Sequence, residues 1–167
     1  EVIDDFHARF SALSRTYAYL IRNTDIPSAL WANRCLTFSN PLDCKAMEKA
    51  SKYLLGEHDF SSFRSSSCQS KSPNRNITSI EIKQRGHFIS LQITANAFLY
   101  NMVRIIVGTL LDVGEGSIKY QEVKEILASR DRNLAGKTAK AEGLYFMGPE
   151  YEKKYNIPNP KEHLFKI

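Results

Sequence analysis

One stretch limits the fold of this chain more than any other. Residues Ala97 to Val113 are apolar on nearly every helical face, interrupted by Asn101, Arg104 and Asp112. A helix with no polar stripe must be covered on all sides, so the pattern predicts a buried central helix, ended by Gly114-Glu-Gly116. The stretch is too short and too interrupted to cross a bilayer, so no membrane is expected. Arg104 is the anomaly within it. A guanidinium stays charged at any pH the fold survives, and burying it unpaired would cost several kcal/mol, roughly. Two readings fit: a structural arginine that is paired or reaches solvent along its stem, or an arginine that holds a catalytic carboxylate. No Asp or Glu close to it in sequence is an obvious partner.

The other elements follow from periodicity. Residues 15–22 are rich in β-formers and read as a strand. Residues 27–41 read as a loop. Asp43 to Leu55 predicts an amphipathic helix with Ala46, Met47, Ala50, Tyr53 and Leu54 on its apolar stripe and Gly56 as its stop. Residues 64–76 read as a loop. Ile77–Gln84 and Phe88–Ala95 alternate on either side of Arg-Gly-His and predict a hairpin turning at Gly86. Ile80 and Ile82 share one face, and Ile89, Leu91 and Ile93 share a face. Residues 120–129 predict a short helix using Val123, Ile126 and Leu127, and Gly143–Met147 a strand. Helices and antiparallel strands mix without strict alternation. The expected fold class is therefore α+β, a mixed or antiparallel sheet flanked by helices, in one domain over residues 1–167.

Charge and cysteine content narrow the partners. The 167 residues carry a formal net charge of +5, which favours an anionic partner without naming it. The three cysteines, Cys35, Cys44 and Cys68, are odd in number and widely spaced. They fit neither a disulfide framework nor a zinc site and suit a reducing compartment. The four histidines show no metal-ligand spacing. The chain begins at Glu1 rather than Met and enters patterned sequence within a few residues, which suggests a start inside a longer protein.

Two further features bear on an anionic partner. Arg64, Lys71 and Arg75 sit among Ser, Gln and Asn, the residue types that contact phosphate and sugar oxygens; a plain solvated loop has the same composition. Tyr17 and Tyr19 share a strand face flanked by Arg9, Arg15 and Arg22, which suits base stacking, or equally a tyrosine pair in the core.

Several segments, in order and covering nearly the whole chain, resemble the tRNA pseudouridine synthase A (TruA) family. They are Phe6-His-Ala-Arg9-Phe-Ser11 with Ser14-Arg15-Thr-Tyr17-Ala-Tyr19; Asp59-Phe-Ser-Ser-Phe-Arg64 with Cys68-Gln-Ser-Lys71-Ser-Pro73-Asn-Arg75; Ala95 to Gly108; and Lys140-Ala-Glu-Gly143-Leu144-Tyr145. The resemblance implies the pseudouridine-synthase fold, here its C-terminal half. It implies isomerisation of a flipped-out uridine in the tRNA anticodon stem-loop to pseudouridine, through attack by a catalytic Asp and with no metal or organic cofactor. The family's Gly-Arg-Thr-Asp-Ala-Gly-type motif is absent from this sequence, so the chain alone is expected to be inactive. By resemblance Tyr17 stacks on the base, Arg104 pairs with the missing Asp, and Leu144 packs in the pocket. Phe6, His7, Ala8, Arg9 and Phe10 are expected RNA contacts, as are Ser67, Cys68, Gln69, Ser70, Lys71 and Arg75. A cytoplasmic homodimer is implied as well. A non-catalytic tRNA-binding or dimerisation module is the alternative.

Overall fold

The computed structural model describes residues 5–158. Six strands form one sheet: β1 (Ala12–Asn23), β2 (Leu36–Phe38), β3 (Gly56–Asp59), β4 (Asn74–Arg85), β5 (Phe88–Ala95) and β6 (Leu144–Tyr151). The path runs β2-β1-β5-β4-β3. The sixth strand, β6, lies antiparallel to Ala12–Tyr19 of β1, whereas β2 lies parallel to its last residues, Ile21–Asn23. Three helices, α1 (Cys44–Ser51), α2 (Met102–Gly114) and α3 (Glu122–Ser129), complete an α+β fold. Residues 1–4 and 159–167, including the end of the Pro-punctuated tail, lie outside the described residues.

Cross-strand rows explain the core. Tyr19 pairs with Leu91, which pairs with Ile82; Ile21 pairs with Ile89; Tyr17 pairs with Ile93, which pairs with Ile80. These residues alternate onto one face, as the period of two requires, and α2 lies among them in a single core cluster. Leu110, Ile105 and Ile106 of α2 are fully buried, as are Met47 and Ala50 of α1. On the opposite face the segment before β2 folds over the sheet, with Trp31 against Phe88 at 4.7 Å and the Tyr145 hydroxyl bonded to the Arg34 carbonyl.

The hairpin is as the alternation predicts, with Gly86 in its turn at φ +56°. Other boundaries moved. The expected helix at 97 begins at Met102, because Asn101 stands in the left-handed region (φ 60°) and stops the helix from running back. Ahead of it the backbone is held elsewhere: Ala97 N–H donates to Asn96 Oδ1 at 2.8 Å, and the Tyr100 carbonyl accepts from Ser65 N–H at 3.2 Å. Helix α1 is shorter than expected, passing into a 3-10 turn over Lys52–Leu54, with Asp43 capping its start by accepting from Ala46 N–H at 3.0 Å. Strands β2 and β3 lie where loop or helix stop was expected. Both are short, and β3 (Gly-Glu-His-Asp) exists by pairing with β4 rather than by its own propensity. The strand expected at 143–147 extends to Tyr151.

A seam between two glycines fixes the segment after α3. A Cβ on Gly108 of α2 would fall inside the Lys137 carbonyl oxygen, and one on Gly136 would lie 2.6 Å from Thr109 N. The backbones therefore touch, and Gly136 N–H donates to Thr109 Oγ1 at 2.9 Å. Residues 131–140 are thereby pressed along α2. No described helix is long and apolar enough to cross a membrane.

Candidate functional site

A cleft of about 860 Å³ opens where β1, β6 and the start of α2 meet. Tyr17 and Leu144 line its floor and Arg104 its helical side. The two tyrosines of β1 therefore part company. Tyr19 is fully buried, and its hydroxyl donates to the Lys140 carbonyl at 2.6 Å. Burial pushes that hydroxyl well above the usual tyrosine range; Glu142 adds to this, Arg104 opposes it and Cys35 raises it again, so it stays neutral. Tyr17 is half-buried, and its ring stands at the cleft between Phe98, edge-on at 5.2 Å, and Phe146, tilted at 5.0 Å. Strand β6 bulges here, with the pairing skipping Met147 between Thr16–Gly148 and Tyr17–Phe146. Such bulges re-aim side chains beside sites.

Arg104 is neither deep in the core nor free in solvent. It is half-buried on an otherwise buried helix. Its Nε donates to the Ala139 carbonyl at 2.6 Å, and its own carbonyl accepts from Ala139 N–H at 3.0 Å. Nη1 donates to Asn101 Oδ1 at 3.2 Å. Among the described residues it forms no ion pair, and no Asp or Glu lines the cleft. Asn101, to which the sequence assigned no consequence, is the second anchor: it also donates from Nδ2 to Ser65 Oγ at 3.1 Å. Its left-handed backbone is a conformation that asparagine tolerates far better than branched residues. A polar residue interrupting an apolar stretch was the only signal in the sequence, and it is a weak one.

The expected RNA contacts divide. Arg9 and Phe10 line the cleft mouth, as do Cys68, Gln69, Ser70 and Arg75. Phe6, His7 and Ala8 do not. Phe6 packs edge-on against Tyr151 and Tyr155, each at 5.0 Å. His7 Nδ1 accepts from the N–H groups of Arg9 and Phe10, and the Ala8 carbonyl accepts from the Tyr151 hydroxyl at 2.7 Å. These three build the turn that presents Arg9 and Phe10. Arg15, which the spacing grouped with the flanking cations, donates to the carbonyls of Ala12, Asn96 and Arg9 and ties that turn to the sheet.

Ser67 and Lys71 are exposed and stand off the cleft wall. Arg75, the second residue of β4, turns back on the loop before it, donating to Ser70 Oγ at 2.7 Å and to the Ser72 carbonyl at 3.0 Å. Its buried Nε finds no partner among the described residues. Cys68 Sγ accepts from Tyr100 N–H at 3.4 Å. Burial alone would push this thiol up, but hydrogen bonds from Tyr100 and Ser70 and the charges of Arg64 and Arg75 bring it below the usual thiol range.

Residues 50–152 match the family model described as tRNA pseudouridine synthase. The chain belongs to the tRNA pseudouridine synthase family. It is 46% identical over 159 residues to the tRNA pseudouridine synthase A of Pectobacterium atrosepticum, covering 95% of this chain and 56% of that protein. To the protein of the same name from Hydrogenovibrio crunogenus it is 48% identical over 155 residues, 93% of this chain and 59% of the relative. Bordetella avium supplies a third, 46% identical over 159 residues, 95% of this chain and 60% of the relative. The chain thus spans less than two thirds of the length of the family members it matches. The α+β sheet with flanking helices agrees with the pseudouridine-synthase fold.

Proposed function

We propose that the Tyr17–Arg104 cleft is one wall of a uridine-isomerising active site acting on the tRNA anticodon stem-loop, completed by a carboxylate from outside this sequence. The observation that carries this is an oriented guanidinium facing an acid-free cleft. Arg104 is held from behind by Ala139 and Asn101, yet no described carboxylate neutralises it. A cation so placed lowers the pKa of a carboxylate brought beside it and keeps that group ionised as a nucleophile.

The rest of the cleft suits a flipped base. Extracting a base costs a few kcal/mol, roughly. Stacking on the Tyr17 ring, apolar contact with Leu144 and charge from Arg9 at the mouth offset that cost. In the reaction the incoming carboxylate attacks the nucleoside and the glycosidic bond to N1 breaks. The base turns within the cleft, C5 bonds to the sugar as the carboxylate–sugar bond breaks and the carboxylate is regenerated, the C5 proton leaves, and N1 takes up a proton. Tyr17 keeps the released base stacked during the turn and stands within reach of that proton. Leu144 keeps the floor dry. The protein acts as a homodimer in the cytoplasm, and no cofactor is required by this chemistry. The alternative, a tRNA-binding or dimerisation module without catalysis, gives no role to a guanidinium fixed in the wall of a cleft.

Undermodified tRNA incubated with the 167-residue chain alone should gain no pseudouridine, read by mass spectrometry of nucleoside digests. When the chain is joined to the remaining polypeptide of a family member, turnover should appear. Arg104→Ala should then lower kcat by roughly 10²–10³-fold while tRNA affinity stays within a few-fold. Turnover by the isolated chain, or an Arg104→Ala enzyme of undiminished kcat, would refute the assignment.

A further inference from the structure

A second cleft, of about 880 Å³, lies on the other side of the Ser65–Asn101 hydrogen bond. Arg64, Arg132 and Lys137 line it together with the hydroxyls of Ser61, Ser65 and Ser66, and no Asp or Glu is among its lining residues. Three carboxylates stand near it, and two are engaged elsewhere. Asp59 pairs with Arg130 at 3.2 Å and accepts from Ser61; Asp131 accepts from the backbone and side chain of Asn133; Asp112, raised by burial and by Glu115, lies close enough to Lys137 to be lowered by it.

The three cations are not equivalent. Arg132 spends its Nη groups on the Ala135 and Gly136 carbonyls and on Thr138 Oγ1, so it holds the loop. Arg64 and Lys137 form no ion pair among the described residues. Lys137 is exposed, yet its backbone is fixed by the Gly108–Gly136 seam.

We infer that this cleft takes a backbone phosphate of RNA, with Arg64 and Lys137 as its charged contacts and the serine hydroxyls as further donors. The inference rests on reading the Tyr17 cleft as an RNA site and extends that site across the Ser65–Asn101 partition. Paired cations and short hydroxyl donors match the non-bridging oxygens of a phosphodiester, and such contacts position a strand without reading its sequence. A loop fixed by backbone packing leaves only the lysine side chain to be ordered on binding.

The test is binding of an anticodon stem-loop RNA hairpin by the chain across a range of KCl concentrations. Beside it stand a uridine trinucleotide too short to reach both clefts, and inorganic phosphate followed by phosphorus NMR. The variants are Arg64→Ala/Lys137→Ala, the charge-conserving Arg64→Lys/Lys137→Arg, and Lys71→Ala in the neighbouring loop. The double alanine variant should bind the hairpin about tenfold more weakly, with the log–log salt slope smaller by about one phosphate, and the trinucleotide unchanged. The charge-conserving variant should keep the slope. A hairpin affinity and slope untouched in the double variant, while Lys71→Ala lowers both, would overturn the second cleft and leave the RNA reading of the first intact. Loss of inorganic phosphate binding with an intact hairpin slope would make it a small-anion site and overturn the inference. No hairpin binding by the chain would overturn both readings.

Discussion

The two sides of the main cleft are built by different means. On the α2 side, Arg104 is aimed chiefly by backbone, through a reciprocal pair of hydrogen bonds with Ala139 beside a seam where two glycine backbones touch, with the Asn101 side chain as second anchor. On the opposite side, Arg9 and Phe10 sit on a turn hung from side chains: Phe6 wedged between two tyrosine rings, His7 capping, and the Arg15 guanidinium reaching back. Phe10 itself is 75% exposed. Backbone packing has few alternatives and resists change, whereas side-chain anchors repack and yield. On the proposed function the difference is a division of labour: the group that would meet a reacting carboxylate is set hard, and the groups that would meet a flexible polyanion are set soft.

The largest test is Gly108→Ala. Its methyl group would collide with the Lys137 carbonyl, so α2 and the 131–140 segment must separate. A loss of about 3 kcal/mol is expected, a fall in Tm of roughly 6–12 °C by calorimetry. An alanine variant that melts with the wild type would show that the hard side is not hard. Phe6→Ala is the matching change on the soft side. It should cost about 1–2 kcal/mol of global stability, since each of the two edge contacts it removes is worth about 0.5–1.5 kcal/mol. Affinity for RNA should fall a few-fold, as Arg9 and Phe10 lose their placement. Equal losses of stability in the two variants would erase the contrast.

The smallest effect is chemical. At neutral pH iodoacetamide should alkylate Cys68 before Cys35 or Cys44, because burial, the largest effect on each, pushes the latter two thiols up. Thiolate is the reactive form, and a lowered pKa preserves it as pH falls. Cys68's lead should therefore narrow as pH rises past the ordinary thiol value of about 8.5. Peptide mapping across pH reads this without perturbing the fold.

Much of this was legible in the residues, and for identifiable reasons. The hairpin alternates cleanly over long runs, and the all-apolar stretch could only be a covered helix. Strands β2 and β3 were not legible, since three or four residues paired by tertiary contact carry no period of their own. The division between Tyr17 and Tyr19 was hidden for a different reason. Both point to the same face, and only the place where α2 begins decides which is roofed and which lines a cleft. That starting point depends on the left-handed backbone of Asn101, which no periodicity encodes. The composition of the 64–76 loop announced polar contacts but not that Arg75 would turn inward to clamp it.

The handshake between residues 104 and 139 has one more consequence. Lys137 lies two positions upstream of the carbonyl that steers Arg104, on the same taut length of chain. A strand held by that lysine, as inferred above, would therefore rest on the same length of backbone that orients Arg104.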